Sequence, residues 1–448
     1  MVTFASLEQG TAVKMLADGS LAQLYRSASF PQAGATELEG NALNQYFQIN
    51  QDVTLSMPLD LGEAQDYDPR SDTDATTNDT EHLQVTLQLE KVFTRGYKVY
   101  SSDANIERYT REYSATTGGA IRKSIDNYFY NKAFRTWSLA ASGDISLGGH
   151  PPIALAFSET SAGVLNDFSD SLLLSAGGTL ASAEVPEGEN RFARLSTRAA
   201  QSYLGSVTPV TGAALAQAQT ALGTQMLMQA PYMSTDFDMR GFMIRGSNAI
   251  TGQTAVADTG DGNATEAIGA ISAAAGDDEF FDGTQTGSVA LGALRLTITQ
   301  TANLAAGVAV GKIARLGADS GAATAYGVIL RVDAASKYVW LVPYNSNGEK
   351  LTADDLSTST DKFGVPKIGS VNVGFHRQHL AFATRLMAEP GPGEGAIAER
   401  AIDEQTGMIM QVFKGSYNVH QFKSGIRSSC LCGAKPTDFR KGVLMLSN

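Results

Sequence analysis

Two segments near the N-terminus alternate apolar and polar residues with a period of two. Val53, Leu55, Met57, Leu59 and Leu61 fall on one face of the first, and Leu83, Val85, Leu87 and Leu89 on one face of the second, which is the pattern of half-buried β-strands. A turn-rich, acidic stretch of twenty residues, 62–81, separates them, so the pair is predicted to form a long antiparallel hairpin. A two-stranded ribbon is not stable alone. Its apolar face must rest either on the chain's own core or on another subunit. Upstream, residues 1–47 carry weak periodicity (Val13, Leu16, Leu21, Leu24) and a break at Pro31–Gly34. They read as an extended arm with a short helix.

After the hairpin the period changes. Ile106, Tyr109, Tyr113, Ile121, Ile125 and Tyr128 follow spacings of three, four or their sums, so a helix is predicted over 105–142, capped by Asp103 and closed by Gly143. Gly118 and Gly119 lie inside it at about 1 kcal/mol each relative to Ala, which predicts a kink or the close approach of another backbone. Residues 144–248 mix strand-like runs (Ile153–Phe157, Phe192–Leu195, Phe242–Ile244) with helical ones (Asp167–Leu174, Arg198–Leu204, Gly212–Leu222), an α+β arrangement. A Gly, Ala, Thr and Asp-rich stretch from Asn248 to about Gly287 precedes strand-like runs at Leu294–Thr299, Val308–Leu316, Val328–Val332 and Tyr338–Tyr344. These read as a small all-β module inserted into a larger domain. A helical pattern is read at Phe375, His379, Phe382 and Leu386, and closing strands at Met408–Phe413, Val419–Phe422, Cys430–Cys432 and Val443–Leu446.

Charge changes this picture more than composition does. A chain of 448 residues with 43% hydrophobic content has room for two to four folded domains. Its net charge of −12 is concentrated in two places: residues 62–81 carry seven acids against Arg70, and residues 249–290 carry seven acids and no Lys or Arg, leaving the remainder at +1. A near-neutral body with two acidic projections does not read as a nucleic-acid binder, because phosphate neutralisation needs clustered Lys and Arg. Met1–Glu8 lacks the basic segment and apolar run of a secretory signal, and the uncharged stretch Ala199–Thr235 is interrupted by five glutamines and two prolines, so no membrane span is expected. Two cysteines, Cys430 and Cys432, provide no disulfide framework and suit reducing, cytosolic surroundings.

Candidate chemistry is sparse. The segment from Gly307 to Ile313 has three residues rather than four between its glycines and Ile where a phosphate loop needs a hydroxyl. The glycines of 391–395 carry a proline and open no strand-to-helix unit. His376 and His379 stand three apart on the predicted helix with His420 as a third imidazole, a metal set without a carboxylate. Residues Asp258 to Glu266 have the content of a calcium loop in the wrong order. Cys430 and Cys432 share a strand face, the commoner use of which is as small buried hydrophobes. No nucleophile elbow or triad is recognisable. An enzyme is therefore not expected, and neither a cofactor nor a metal is.

The order of parts, from arm and long hairpin through long helix, α+β domain and β insertion to a return segment, resembles the major capsid proteins of tailed phages, the Hong Kong 97 type of fold. Asn372 to Leu386 (NVGFHRQHLAFATRL) is similar to the segment after the inserted β domain in coat proteins of the short-tailed Salmonella phage type. Asn190–Leu195 (NRFARL) looks like the strand opening the second half of their axial domain, and Thr406–Val412 and Cys432–Pro436 resemble their closing strands. The resemblance implies an α+β fold divided into an N-terminal arm (1–47), an extended hairpin (48–104), a peripheral domain with a spine helix (105–160), an axial domain (161–248), an inserted β domain (249–371) and a return to the peripheral and axial domains (372–448).

It also implies a structural role: an icosahedral virion shell of pentamers and hexamers around double-stranded DNA. Assembly would take place in the host bacterial cytoplasm with a scaffolding protein and a portal, with only non-specific DNA contact and no membrane. The hairpin would lie across a neighbouring subunit. Val53, Leu55, Met57, Leu59, Leu83, Val85 and Leu87, with tip acids Asp66, Asp68, Asp72 and Asp74, are the expected interface. The tip acids would face Arg108, Arg111, Arg122, Lys123, Lys132 and Arg135 of the spine helix in a salt-sensitive contact. Some members of the family cross-link a hairpin lysine to a neighbour, but 62–81 contain no Lys, so no such bond is expected. The competing readings are a virion-surface or adhesin-like protein that binds through its β insertion, and a bacterial encapsulating shell.

Overall fold

In the computed structural model of the chain the described residues are 14–15, 17–19, 21, 30–31, 33–34, 46–58, 82–100, 106–134, 151–154, 159–161, 164–185, 190–207, 237–253, 267–276, 293–299, 304, 307–317, 323–356, 361–366, 369–389, 397–403, 407–415 and 423–448. In the arm, Ala17 and Leu21 are buried and helical, as the short-helix reading expects. After β1 (Tyr46–Phe47), strands β2 (Asp52–Pro58) and β3 (His82–Gln88) form the antiparallel hairpin. Val53 stands opposite Leu87, Leu55 opposite Val85 and Met57 opposite Leu83, so the alternation sets the register. Leu59, Leu61 and the acidic tip lie outside the described residues.

Strand β4 (Lys91–Tyr100) leads to α1 (Ile106–Phe134), a 29-residue helix. It buries Ile121, Ile125, Phe129 and Phe134, and its outer turns meet β4 through Tyr113 stacked on Tyr97 and Tyr128 edge-on to Phe93. The helix runs unbroken through Gly118 and Gly119, and a Cβ built at Gly119 meets nothing within 4 Å. Among the described residues, therefore, no backbone approaches Gly119 closely. Asp103, residues 135–142 and Gly143 lie outside the described residues.

The next elements are β5 (Glu159–Ser161), β6 (Val164–Leu165), α2 (Asp170–Ser182), β7 (Arg191–Leu195), α3 (Thr197–Val207), β8 (Phe237–Met239) and β9 (Phe242–Gly246). Of the run expected at 153–157, Ile153 forms a single bridge to Leu444. The helix expected at 212–222 lies outside the described residues, as do the strand expected at 419–422 and the loops at 258–266 and 391–395.

The insertion is a closed barrel. Its strands are β10 (Ala267–Gly276), β11 (Leu294–Thr299), β12 (Ile313–Gly317), β13 (Ala323–Asp333), β14 (Tyr338–Leu341) and β15 (Lys362–Gly364), in the order β10-β11-β14-β13-β12-β15. Closure removes the exposed edges, and Leu296, Ile298, Leu316, Ile329, Leu341 and Phe363 fill the interior. Strands β10 and β15 escape the sequence pattern: β10 is AIGAISAAAG, whose small residues carry no apolar alternation. The glycine-rich segment at 307–311 turns into strand β12, with Gly311 at φ +80°, and opens no helix.

The chain returns through β16 (Ser370–His376), a single 3₁₀ turn (Arg377–His379), β17 (Leu380–Met387), β18 (Ile397–Asp403), β19 (Met408–Lys414), β20 (Lys423–Pro436) and β21 (Gly442–Ser447). The helix read at Phe375, His379, Phe382 and Leu386 is thus two strands joined by one turn. From Ser370 to Leu386 every residue except Arg377 and Gln378 is buried. A strand covered on both faces gives a continuous buried run that can mimic helical spacing, whereas an amphipathic helix would leave one face in water. Two sheets result. One has the order β1-β17-β20-β19-β18 with β4 also on β20, and the other has the order β21-β16-β7-β9-β8.

Candidate assembly interface

The hairpin, the part expected to reach a neighbour, is held to its own subunit along one face. Val53, Leu55, Val85, Leu87 and Leu89 are at most 6% exposed and pack on Ala381 and Ala383 of β17 and Leu431 of β20. The chain's own sheet is therefore the cover, and Val53, Leu55, Val85 and Leu87 have no apolar surface left for another copy. At Gly433 the two layers nearly touch: a Cβ built there would stand 2.2 Å from the Gln88 carbonyl oxygen and 2.9 Å from Leu87 Cδ1. Farther out, Lys435 Nζ donates to the Thr86 carbonyl at 3.2 Å. The opposite face is polar and exposed, with the Thr54 and Thr86 hydroxyls 3.4 Å apart.

Asp66, Asp68, Asp72 and Asp74 lie outside the described residues, and so does Arg135. Arg108 and Arg111 belong to the first turns of α1, Arg122 is half-buried and Lys123 is exposed. Lys132 is engaged at home: its ammonium binds Glu90 at 2.8 Å. That pair ties the last turn of α1 to the junction between β3 and β4, and Tyr128 beside it donates to Glu90 while accepting from the Ala434 N–H. Burial and the neighbouring carboxylate raise the Tyr128 pKa, so the phenol stays protonated.

Of the three candidate imidazoles, His420 lies outside the described residues. His379 is fully buried; its Nδ1 lies 2.8 Å from the Asp438 carbonyl and its Nε2 3.1 Å from the Ala133 carbonyl, so both ring nitrogens face backbone oxygens. His376 Nδ1 accepts from the Gln378 N–H. Among the described residues no cluster of three metal-ligating side chains occurs. Cys430 and Cys432 are free thiols buried at 1% and 0% exposure among the apolar residues facing α1, and burial raises the Cys432 thiol's pKa.

Several side chains that matter were not singled out from the sequence. Gln411 splices two strands: its amide nitrogen donates to the Met387 carbonyl at 3.0 Å and its oxygen accepts from the Met387 N–H at 2.6 Å. Gln253 joins barrel and body, donating to the Pro366 carbonyl at 2.7 Å and accepting from the Ile313 N–H at 2.8 Å. Asn372 accepts from the Ser196 N–H and donates to Ser447 Oγ. Each satisfies backbone groups far away in sequence, and only the folded chain reveals that pairing. A cleft at the barrel joint is lined by Ser196, Arg198, Asn248, Gln253, Ser370 and Asn448 among others, with no Asp, Glu, His or Cys. Among the described residues no helix is long and apolar enough to cross a membrane.

No family model and no curated protein matches the chain. Solved structures align along most of its length at low similarity. A structure described as Mycobacterium phage Che8 covers 93% of this chain and 90% of its own, with 13% identity and a TM-score of 0.37. The capsid of cyanophage P-SCSP1u covers 93% and 87% with 10% identity and a TM-score of 0.37, and the capsid of Ralstonia phage GP4 covers 94% and 92% with 8% identity and a TM-score of 0.41. Similarity at this level establishes neither fold nor function, so the functional reading rests on the chain's own elements.

Proposed function

We propose that this chain is a structural subunit, the major capsid protein of a tailed phage, whose copies close into an icosahedral shell around double-stranded DNA. The observation that carries the reading is the hairpin seated on a sheet that also packs against the 29-residue α1, with its strands leading to a highly acidic tip. A side arm of this kind suits a subunit that must grip its neighbours without forming a single tight pair. In a closed shell many modest contacts act together. The barrel, inserted between β9 and β16 and clamped by Gln253, suits a module facing outward or towards the next group of subunits. Negative-stain microscopy of the purified chain, alone and with a co-expressed scaffolding protein, tests the reading. Shells or rings of five and six are expected. Monomers under both conditions, with a barrel that captures a receptor or glycan, would favour the binding-protein reading.

A further inference from the structure

The sheet that carries the hairpin has a charge pattern that sequence order hides. Strands β4, β19 and β20 hold seven Lys or Arg and no Asp or Glu. Register sorts these by face. Val92 pairs with Leu431, Gly96 with Arg427 and Lys98 with Gly425, while Arg427 pairs with Phe413 and Gln411 with Arg400. Since Leu431 belongs to the hairpin's seat, Lys98, Arg427 and Arg400 share the hairpin's side of the sheet, beyond the hairpin itself. All three are exposed. The acids of β18, Glu399 and Asp403, fall on the opposite face. Glu389, hydrogen-bonded to Tyr46, stands at the Arg400 end.

The result is a diagonal cationic stripe across four strands. Lys98 and Arg427 are diagonal neighbours about 7 to 8 Å apart, and Arg400 lies roughly 12 Å farther on by strand spacing. The floor between them is low: Gly96 and Gly425 carry no side chain, and a Cβ at Gly425 meets nothing within 4 Å. The described strands of the hairpin run away from the stripe. The hairpin passes Gly433 at Gln88 and Lys435 at Thr86, so it advances towards the Pro436 end of β20 while the stripe lies near the Lys423 end. By strand rise the hairpin's last described residues, Pro58 and His82, are about 40 Å from Arg427.

We propose that the Lys98–Arg427–Arg400 stripe is the docking surface for residues 62–81 of a second copy. Contacts then run head to tail, acidic end of one subunit on the basic stripe of the next, the heterologous geometry that closes into rings. The occupant follows from charge complementarity: 62–81 carry seven acids against one Arg. Asp66 and Asp68, and likewise Asp72 and Asp74, are two residues apart, a step of about 7 Å when extended that matches the spacing of Lys98 and Arg427. This deepens the shell reading and moves the tip's partner from the spine helix to the sheet.

The test uses the full-length chain and sedimentation velocity at low salt. A stripe variant (Lys98→Glu with Arg427→Glu) and a tip variant (Asp66→Lys, Asp68→Lys, Asp72→Lys, Asp74→Lys) should each self-associate at least about tenfold more weakly than the parent. Mixed one to one they should grow again in alternation, because the acidic tip of the stripe variant meets an intact stripe and the Lys-bearing tip of the tip variant meets the reversed one. All six substitutions in one chain should restore growth. Circular dichroism checks that each variant folds. A labelled peptide of residues 62–81 provides an arm independent of shell formation: it should bind the parent and lose at least about tenfold in affinity for the stripe variant. Closed particles formed equally well by the stripe variant would overturn the docking surface and leave the capsid reading standing. A parent chain that stays monomeric yet binds the peptide only with an intact stripe would retain the surface and overturn the shell.

Discussion

Replacing Gly433 with Ala should lift the hairpin from its sheet. The added methyl would sit 2.2 Å from the Gln88 carbonyl oxygen and 2.9 Å from the Gln88 carbonyl carbon. Ordinary contact begins near 3.4 Å, so β3 must move by more than 1 Å, and the blocking atoms are backbone with no alternative rotamer. Overpacking of this kind costs about 1 to 3 kcal/mol. The hairpin it acts on is held by Val53, Leu55, Val85, Leu87 and Leu89, whose burial has a gross upper bound of roughly 7 to 15 kcal/mol. The ribbon should therefore stay folded but open more often, by a factor of about 5 to 150, read as faster amide hydrogen exchange in 52–58 and 82–88 of the unassembled subunit. Barrel exchange should not change. Gly425→Ala, where the methyl enters open space, is the control and should stay within about 0.5 kcal/mol of the parent. Parental exchange in the hairpin of Gly433→Ala would refute the seat as described.

Other outcomes follow from the same contacts. Gln411→Leu removes both partners of the Met387 backbone and should destabilise the junction of β17 and β19 by about 1 to 3 kcal/mol, seen as a lower denaturant midpoint. His379 is fully buried, and burial holds its pKa below the usual 6.5 against the opposing pull of the Asp438 and Ala133 carbonyls. Its contribution should be intact above pH 6.5 and fall as the pH drops towards its lowered native value; urea melts of parent and His379→Gln at pH 7.5 and 5.5 should differ in slope, and identical pH dependence would contradict it. Because 62–81 contain no Lys, assembled material boiled in detergent should run as a single 47.3 kDa band, and a covalent ladder would disprove the absence of a tip cross-link.

What the sequence disclosed and what it hid divide along physical lines. The hairpin was legible because one covered face and one wet face impose strict alternation, visible at Val53, Leu55, Val85 and Leu87. The buried turns of α1 were legible for the corresponding helical reason. Strands β16 and β17 were misread as a helix because burial on both faces erases alternation, and β10 was missed because its alanines and glycines carry no hydrophobic contrast. The opposite charge signal was legible only in part. The acidic tip is a run in sequence, whereas Lys98, Arg400 and Arg427 are distant along the chain and become one stripe only when β4, β18, β19 and β20 lie side by side. The Gln253 and Gln411 clamps act on backbone groups, which no pattern of side chains announces.

The central claim is that this chain builds a shell, and the most direct measurement is cryo-electron microscopy of the full-length chain purified at high concentration and low salt. Closed particles, or rings of five and six subunits, are the predicted result, with each hairpin tip meeting the Lys98–Arg427 stripe of the adjacent copy. A uniformly monomeric sample, both with and without a scaffolding protein, would contradict it.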